Sequence, residues 1–257
     1  MSTKAILTDA TLCTGCERCV DACKTEHQLG KDQPRRWKLR IDDLSATRFT
    51  TVLRQDDEFV RQQCRHCLDP ACVSACLVGA MQKTPDGPVI YDGDRCMGCR
   101  YCMMACPFEI PRYEWSAAVP YVRKCTMCHE RLARGEVPAC VEACPEKATI
   151  FGDRDELLAE AHRRIAAEPG RYVNRVLGET EVGGTSVLFI AGVNLDFIGP
   201  GAVYGDQALP ELTWAALSKV PPLALGVGSL MAGVFWITGR RMKIEAEAAE
   251  RNDPADE

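Results

Sequence analysis

The chain has 257 residues, enough for one large domain or two small ones, and 46% of them are hydrophobic, so a packed core is expected. Its net charge of −5 at pH 7 argues against nucleic acid as a partner. The count of 16 cysteines is unusual, and a disulfide scaffold is excluded because such scaffolds are usually shorter and space their cysteines more widely.

The N-terminal part combines a cysteine-rich run with a cysteine-free segment. Residues 1–12 contain no long apolar stretch, so we expect no secretory signal in this sequence. The first run holds Cys13, Cys16, Cys19 and Cys23. Residues 24–63 carry no cysteine, and their alternating pattern around 49–53 and 59–60 predicts a small inserted β segment.

Three more cysteine-rich runs follow. The second holds Cys64, Cys67, Cys72 and Cys76, with Leu77 where many such motifs have proline. The third holds Cys96, Cys99, Cys102 and Cys106 in the string R-C-M-G-C-R-Y-C-M-M-A-C-P. The fourth holds Cys125, Cys128, Cys140 and Cys144, and its gap of eleven residues suggests an inserted hairpin.

The third run has the C-x2-C-x2-C-x3-C-P spacing of bacterial ferredoxins, in which three cysteines bind one iron–sulfur cube and the fourth reaches a second cube. Four runs of four cysteines use all 16 and predict four [4Fe-4S] clusters, with every cysteine an iron ligand. Each cube would add negative charge, so the neighbouring cations are either local compensation or ordinary surface charges. These cations are Arg65, Arg100, Arg123 and Lys124.

Zinc is the alternative metal that the cysteines could bind. Structural zinc sites use two C-x2-C pairs separated by a longer stretch, and only the fourth run has a shape of that kind. His66 and His129 lie beside cluster cysteines, where hydrogen bonding or exposure is favoured over metal ligation. No serine–histidine–acid set, phosphate loop or carboxylate pair stands out, so we expect no catalytic residues.

The region after the cysteines predicts an extension and a linker. Residues 153–167 have helical apolar spacing and an Asp at the start, which predicts an amphipathic helix capped by Asp153. Residues 185–193 are typical of a buried strand. Residues 194–215 are rich in Gly and Pro and predict an extended linker.

Residues 220–239 contain no charged residue and, at about 1.5 Å per residue, are long enough to span a bilayer as a helix. A buried core helix is the alternative. Three basic residues closely follow this span, whereas Lys219 alone precedes it, so the positive-inside rule places the charged tail at 240–257 in the cytoplasm. The cysteine-rich domain is then expected on the periplasmic side of the inner membrane.

These features together resemble the four-cluster, ferredoxin-like iron–sulfur (β) subunits of membrane-bound respiratory oxidoreductases. The strings Q-C-R-H-C-L-D-P-A-C-V-S-A-C at 63–76 and Y-x-x-x-x-C-M-G-C-R-Y-C at 91–102 favour the hydrogenase-2 type. The string L-S-A-T-R-F-T at 44–50 and the missing leader favour the β subunit of periplasmic formate dehydrogenase, and G-G-T-S-V-L at 183–188 fits both.

The resemblance implies an α+β fold of two bacterial-ferredoxin-like dicluster modules with the inserted β segment, a C-terminal extension and one transmembrane helix. It divides the chain into a cluster domain at 1–150, an extension and linker at 151–219, a membrane helix at 220–239 and a tail at 240–257. The family pairs run 13–23 with run 125–144, and run 64–76 with run 96–106. The implied ligand sets are Cys13, Cys16, Cys19 and Cys144; Cys23, Cys125, Cys128 and Cys140; Cys64, Cys67, Cys72 and Cys106; and Cys76, Cys96, Cys99 and Cys102.

The resemblance also implies a non-catalytic subunit that relays electrons. The expected partners are a catalytic large subunit (a NiFe hydrogenase or a molybdenum or tungsten formate dehydrogenase), an integral membrane quinone-reactive subunit and the lipid bilayer. The main alternative is an electron relay in a quinol-oxidising terminal reductase of the molybdoenzyme type, and a structural zinc protein is a distant one.

Overall fold

The structure, a computed structural model, describes residues 3–31, 43–199 and 204–252. Helices and strands are mixed along the chain, which confirms the expected α+β class. In chain order they are β1 (Lys4–Asp9), α1 (Arg18–Glu26), β2 (Thr51–Gln55), β3 (Glu58–Gln62), α2 (Ala71–Ser74), β4 (Met81–Lys83), β5 (Val89–Tyr91), α3 (Tyr101–Ala105), β6 (Arg112–Tyr113), β7 (Val122–Arg123), α4 (His129–Ala133), α5 (Ala139–Glu142), β8 (Thr149–Asp153), α6 (Arg154–Ala167), β9 (Val187–Ile190), α7 (Leu209–Leu217) and α8 (Val220–Asn252).

The chain divides into a first unit at Met1–Pro210 and a second at Glu211–Glu257. Parts of three sequence predictions lie outside the described residues. They are 32–42 of the inserted segment, 200–203 of the linker and 253–257 of the tail.

A three-stranded sheet in the order β8-β1-β9 holds the first unit together. Its central strand, β1, is antiparallel to β8, with Lys4 opposite Asp153, and parallel to β9, with Ile6 opposite Val187. Every residue of β9 is buried, which explains its continuous apolar sequence. The sheet therefore joins the beginning of the chain to two segments that follow the last cysteine.

The two faces of β1 pack against different parts of the unit. Because successive side chains of a strand alternate, Ala5 and Leu7 lie on one face and Ile6 lies on the other. The first face is covered by α6. The second face packs on Val60 of β3 and Met127 of the fourth cysteine run. The cysteine-rich part and α6 thus lie on opposite sides of the sheet.

The helix predicted at 153–167 forms as α6, but its cap differs from the prediction. Asp153 occupies the N-cap position, and its side chain makes no capping hydrogen bond. Its Oδ1 instead lies 2.7 Å from Lys4 Nζ, because the β1–β8 pairing places these two residues opposite each other.

The inserted β segment is present as the β2–β3 hairpin, in which Leu53 pairs with Val60. The hairpin suggested within the fourth run is wrong, because that gap forms α4 and the start of α5. Arg131 of α4 explains the compact turn. Its guanidinium lies 3.0 Å from a carboxylate oxygen of Glu26 and 2.5 Å from one of Glu142, which ties α4 to α1 and α5.

The strand predicted at 185–193 is shorter than expected. The backbone N–H of Thr185 donates to Gly178 O at 2.8 Å, and that of Ser186 donates to Arg65 O at 3.1 Å, so Ser186 contacts the second cysteine run before β9 begins. The predicted linker at 194–215 is wrong in its last part, where α7 begins at Leu209. Its apolar helical sequence outweighs the Gly and Pro content of the preceding residues.

In the second unit, α8 extends beyond the predicted span and continues through much of the charged tail. Within the described part of the chain, Leu209–Ala249 is the one helical stretch long and apolar enough to cross a membrane, with a mean hydropathy of 1.7 over an 18-residue window. None of its apolar window is buried in the protein, unlike a core helix.

Candidate iron–sulfur cluster sites

The first and third cysteine runs share one loop geometry. Gly15 and Gly98 have φ angles of 71° and 75°, and Glu17 and Arg100, two positions later, also have positive φ. These left-handed residues curl the backbone between successive cysteines, and Gly adopts this conformation without strain. A helix, α1 or α3, begins at the next residue and leads towards the fourth cysteine.

The second and fourth runs share another local structure. Residues 70–76 and 138–144 both read P-A-C-V-x-A-C, and both form a short helix directly after the proline. This internal repeat, together with the C-x-G-C-x-x-C loops of the other two runs, is visible in the sequence. It indicates two related modules within the cysteine-rich part.

Backbone N–H groups of these loops are directed at cysteine sulfur atoms. Ala80 N lies 3.1 Å from Cys76 Sγ, and Met127 N lies 3.3 Å from Cys125 Sγ. Such hydrogen bonds favour the thiolate and contribute to the reduction potential of a bound cluster.

The beginning of the first run and the end of the fourth lie together. Burial raises the pKa of Cys13 most, and the Cys144 and Cys16 thiols raise it further. One cavity is lined by Cys13, Cys16, Cys19 and Cys144. Four thiols separated by up to 131 positions (144 − 13) therefore surround one space.

Three other thiols show a similar pattern, in which burial raises the pKa most and three further cysteines raise it more. They are Cys23 with Cys125, Cys140 and Cys128; Cys67 with Cys106, Cys64 and Cys72; and Cys102, at a pKa of about 11, with Cys76, Cys96 and Cys99. We number these four cysteine groups I to IV, with group I being the one that lines the cavity.

The groups are linked in a row, because a thiol of one group adds to the effect of burial in raising the pKa of a thiol in the next group. The linking pairs are Cys19 with Cys140 (I to II), Cys125 with Cys64 (II to III) and Cys72 with Cys102 (III to IV). Each group thus has its electrostatic neighbours in the adjoining group.

The donor set of each group suits an iron–sulfur cube, because it consists of four thiols and such cubes are held by four cysteine thiolates. A single zinc ion needs its ligands within about 2.3 Å of one point. Across the described residues, no set of three or more His, Cys, Asp or Glu side chains has a metal-holding arrangement of that kind.

The four cations singled out in the sequence fall into two kinds. Arg65 and Lys124 are buried, and Lys124 lowers the pKa of Cys72 against the larger effect of burial. Arg100 is exposed and lies over the Trp115 ring. Arg123 pairs with a surface carboxylate. Compensation of cluster charge therefore fits the first two, and the ordinary surface interpretation fits the others.

Sequence reasoning missed two further cations and the surroundings of two histidines. Arg61 is buried among the cysteines, and burial lowers the pKa of Lys83 to about 8 beside group III. His66 Nδ1 accepts a hydrogen bond from Val89 N at 2.8 Å, which is the hydrogen bonding that the sequence favoured over metal ligation. His27 Nε2 lies 3.6 Å from Cys128 Sγ. Arg61, Lys83 and His27 belong to no cysteine motif, and only the fold brings them close.

Comparison with known proteins identifies matching families and relatives. Two families described as 4Fe-4S dicluster domains match residues 55–154 and 12–81. A protein of Nitratidesulfovibrio vulgaris is 43% identical over 259 aligned residues, covering 94% of this chain and 68% of its own length. The hydrogenase-2 operon protein HybA of Escherichia coli O157:H7 is 38% identical, covering 74% of this chain and 71% of its own. The B subunit of anaerobic dimethyl sulfoxide reductase from Escherichia coli K12 is 40% identical, covering 62% and 77%.

The fold and the cysteine groups define a ferredoxin-like iron–sulfur protein that binds [4Fe-4S] clusters. More particularly, the chain belongs to the family of ferredoxin-like iron–sulfur subunits of respiratory oxidoreductases. Electron transfer is the function of this class. Both the expected family and the expected general function are thereby confirmed.

Proposed function

We propose that this chain is a non-catalytic relay that carries electrons through four [4Fe-4S] clusters between a catalytic subunit and a membrane subunit. The observation that supports it best is the row of four cysteine groups, each linked to the next by neighbouring thiols. The clusters supply one-electron transfer when bound, and the protein binds and insulates them.

The proposed ligand sets are the four groups, and all 16 cysteines serve as iron ligands. Group I takes Cys13, Cys16, Cys19 and Cys144. Group II takes Cys23, Cys125, Cys128 and Cys140. Group III takes Cys64, Cys67, Cys72 and Cys106. Group IV takes Cys76, Cys96, Cys99 and Cys102. The proposed cluster domain spans 1–150, followed by the extension, the membrane helix and the tail.

Iron and acid-labile sulfide in the purified protein test the number of clusters. We expect about sixteen of each per chain, because each cube holds four iron and four sulfide atoms. Contents near half these values would contradict the proposal, and zinc in place of iron would support the structural alternative.

Substitution within one proposed group tests the ligand sets. Cys64 and Cys106 belong to different runs but to the same group, so Cys64→Ser and Cys106→Ser should remove or alter the same electron paramagnetic resonance signal. The double variant should lose little more than either single one, because residues acting as a unit are not additive. Cys99→Ser is the matched control from the run of Cys106, and it should alter a different signal.

The catalytic partner proposed first is a hydrogenase or a formate dehydrogenase, with electrons leaving to a quinone-reactive membrane subunit. Similarity to the hydrogenase-2 operon protein supports the hydrogenase. Purification of the native complex, with identification of its large subunit, tests this assignment. Reduction of the clusters by hydrogen or by formate would distinguish the two enzymes.

A second candidate is a relay that works from quinol towards a terminal reductase. Similarity to the B subunit of dimethyl sulfoxide reductase favours it. In that case a quinol, and neither hydrogen nor formate, should bleach the cluster absorbance of the native complex.

We also propose that the C-terminal helix anchors the chain in the inner membrane, with the cluster domain on the periplasmic side. Arg240, Arg241 and Lys243 follow the apolar part of α8, whereas Lys219 precedes it, which by the positive-inside rule places the C-terminus in the cytoplasm. A reporter that is active only in the cytoplasm should be active when it is fused after residue 257. Activity of a periplasm-only reporter at that position would reverse the orientation.

A further inference from the structure

Arg61 is a buried cation whose side chain meets no oxygen acceptor among the described residues. It lies in β3 opposite Val52, and only 2% of the residue is exposed. Its Nε, Nη1 and Nη2 find no hydrogen-bond partner among the described residues. An unpaired charge in a protein interior costs several kcal/mol, so a residue of this kind needs an anion beside it.

Cysteine sulfur atoms of two groups surround this guanidinium. Arg61 lines the same cavity as the four cysteines of group I. Burial is the largest influence on the pKa of Arg61 and lowers it, but the Cys140, Cys19 and Cys125 thiols together raise it above its usual value. Cys19 belongs to group I, and Cys140 and Cys125 belong to group II. The side chain therefore borders the cavity of group I and lies beside the Cys140 thiol of group II.

Arg65 provides a contrast within the same segment. Its Nη2 donates to Gln62 Oε1 at 2.7 Å and to Ile198 O at 2.8 Å, and its guanidinium lies 4.2 Å from the centre of the Phe189 ring. Part of its hydrogen-bonding capacity is thus met by the protein. Arg61 has no such oxygen acceptor among the described residues, and the Cys140 thiol beside it is a proposed cluster ligand.

We propose that Arg61 is a positioning residue that serves as the shared counter-charge of the clusters in groups I and II and makes both reduction potentials more positive. This inference rests on the proposed ligand sets. A cube with four thiolates carries a net charge of about −2, which becomes about −3 when it accepts one electron. A fixed positive charge nearby therefore favours the reduced form, and the thiols that influence Arg61 most belong to groups I and II.

Redox titration of the native complex, followed by electron paramagnetic resonance, tests the role of Arg61. Arg61→Gln should move two of the four redox transitions to more negative potential. Each shift should be about 59 mV, which corresponds to a tenfold change in the ratio of reduced to oxidised cluster. Arg61→Lys should keep both potentials close to those of the unmodified protein. Arg54→Gln is the matched control, because it removes a cation from an exposed site on the same hairpin.

The outcomes separate this inference from the proposed function. Potentials unchanged in Arg61→Gln, an equal shift of all four transitions, or an equal shift in Arg54→Gln would overturn the role of Arg61. If Arg61→Gln loses iron, the Arg61→Lys variant decides the question. Retention of all clusters at normal potentials in Arg61→Lys supports the proposed role of the positive charge, and loss of the same clusters overturns it. An unmodified complex without four clusters would instead refute the proposed function.

Discussion

Gly15 shows how closely the cysteine loops are packed against the inserted β segment. It lies between Cys13 and Cys16, and a Cβ atom at this position would lie 2.6 Å from Cδ1 of Phe59. Gly79 also has positive φ, but no atom lies within 4 Å of the corresponding Cβ position. Substitution at these two positions therefore distinguishes the effect of backbone strain from that of steric overlap.

We expect Gly15→Ala to destabilise the protein by about 1–3 kcal/mol more than Gly79→Ala, because only the first residue would collide with a ring. The measurement is the guanidinium concentration at which the cluster absorbance is half lost. Equal midpoints for the two variants would mean that Phe59 moves away without cost.

At this scale the sequence reveals the cysteine motifs but not the surroundings of the thiols. The spacing of Cys96, Cys99 and Cys102 is local, so it can be recognised without the fold. Arg61 and His27 are distant in sequence from the thiols they approach, and nothing about their neighbours in the chain distinguishes them from surface residues.

At the scale of the secondary-structure elements, the supporting helix α6 lies apart from the cysteine groups. α6 buries Leu157, Ala161 and Ile165 against the sheet, on the face opposite the cysteine-rich part. The helix can therefore determine stability without forming part of any cysteine group.

Leu157→Ala should lower the free energy of unfolding by about 2–4 kcal/mol, because it removes buried apolar volume and leaves a cavity. The iron content of the folded protein should stay unchanged. Thermal unfolding and iron analysis of the same sample test both statements. Glu156→Ala, at an exposed neighbouring position, is the control and should change stability by less than about 0.5 kcal/mol.

The elements were predictable where their periodicity is strong. The apolar spacing of residues 153–167 predicted α6, whereas the Gly and Pro residues between 194 and 208 concealed the start of α7 at Leu209. The gap within the fourth run was misjudged because its turn depends on Arg131 and two carboxylates from other helices.

At the scale of the whole molecule, α8 is the candidate membrane span of the proposed electron relay. Its apolar residues are exposed in the protein, as expected of a helix that lipid or a membrane subunit covers. Its charged end was visible in the sequence, but its continuation as helix to Asn252 was not, because charged residues are compatible with either structure.

A charge in the middle of this helix should release the chain from the membrane. Arg in place of Leu230 costs about 2.5–3.5 kcal/mol on insertion scales, so Leu230→Arg should lower the fraction retained in membranes after an alkaline carbonate wash. Leu230→Ile is the control and should be retained like the unmodified protein. Retention of both variants would mean that contacts other than α8 hold the chain there.

The central position of β1 has a consequence for biosynthesis. This strand gains the two strands that pair with it only after residues 149–153 and 187–190 have been translated. Cys13, which shares its cavity with Cys144, must likewise await the end of the cysteine-rich region. We therefore expect that a nascent polypeptide arrested before residue 144 carries no stable metal centre at its N-terminus, and that cofactor insertion is completed after translation of the whole first unit.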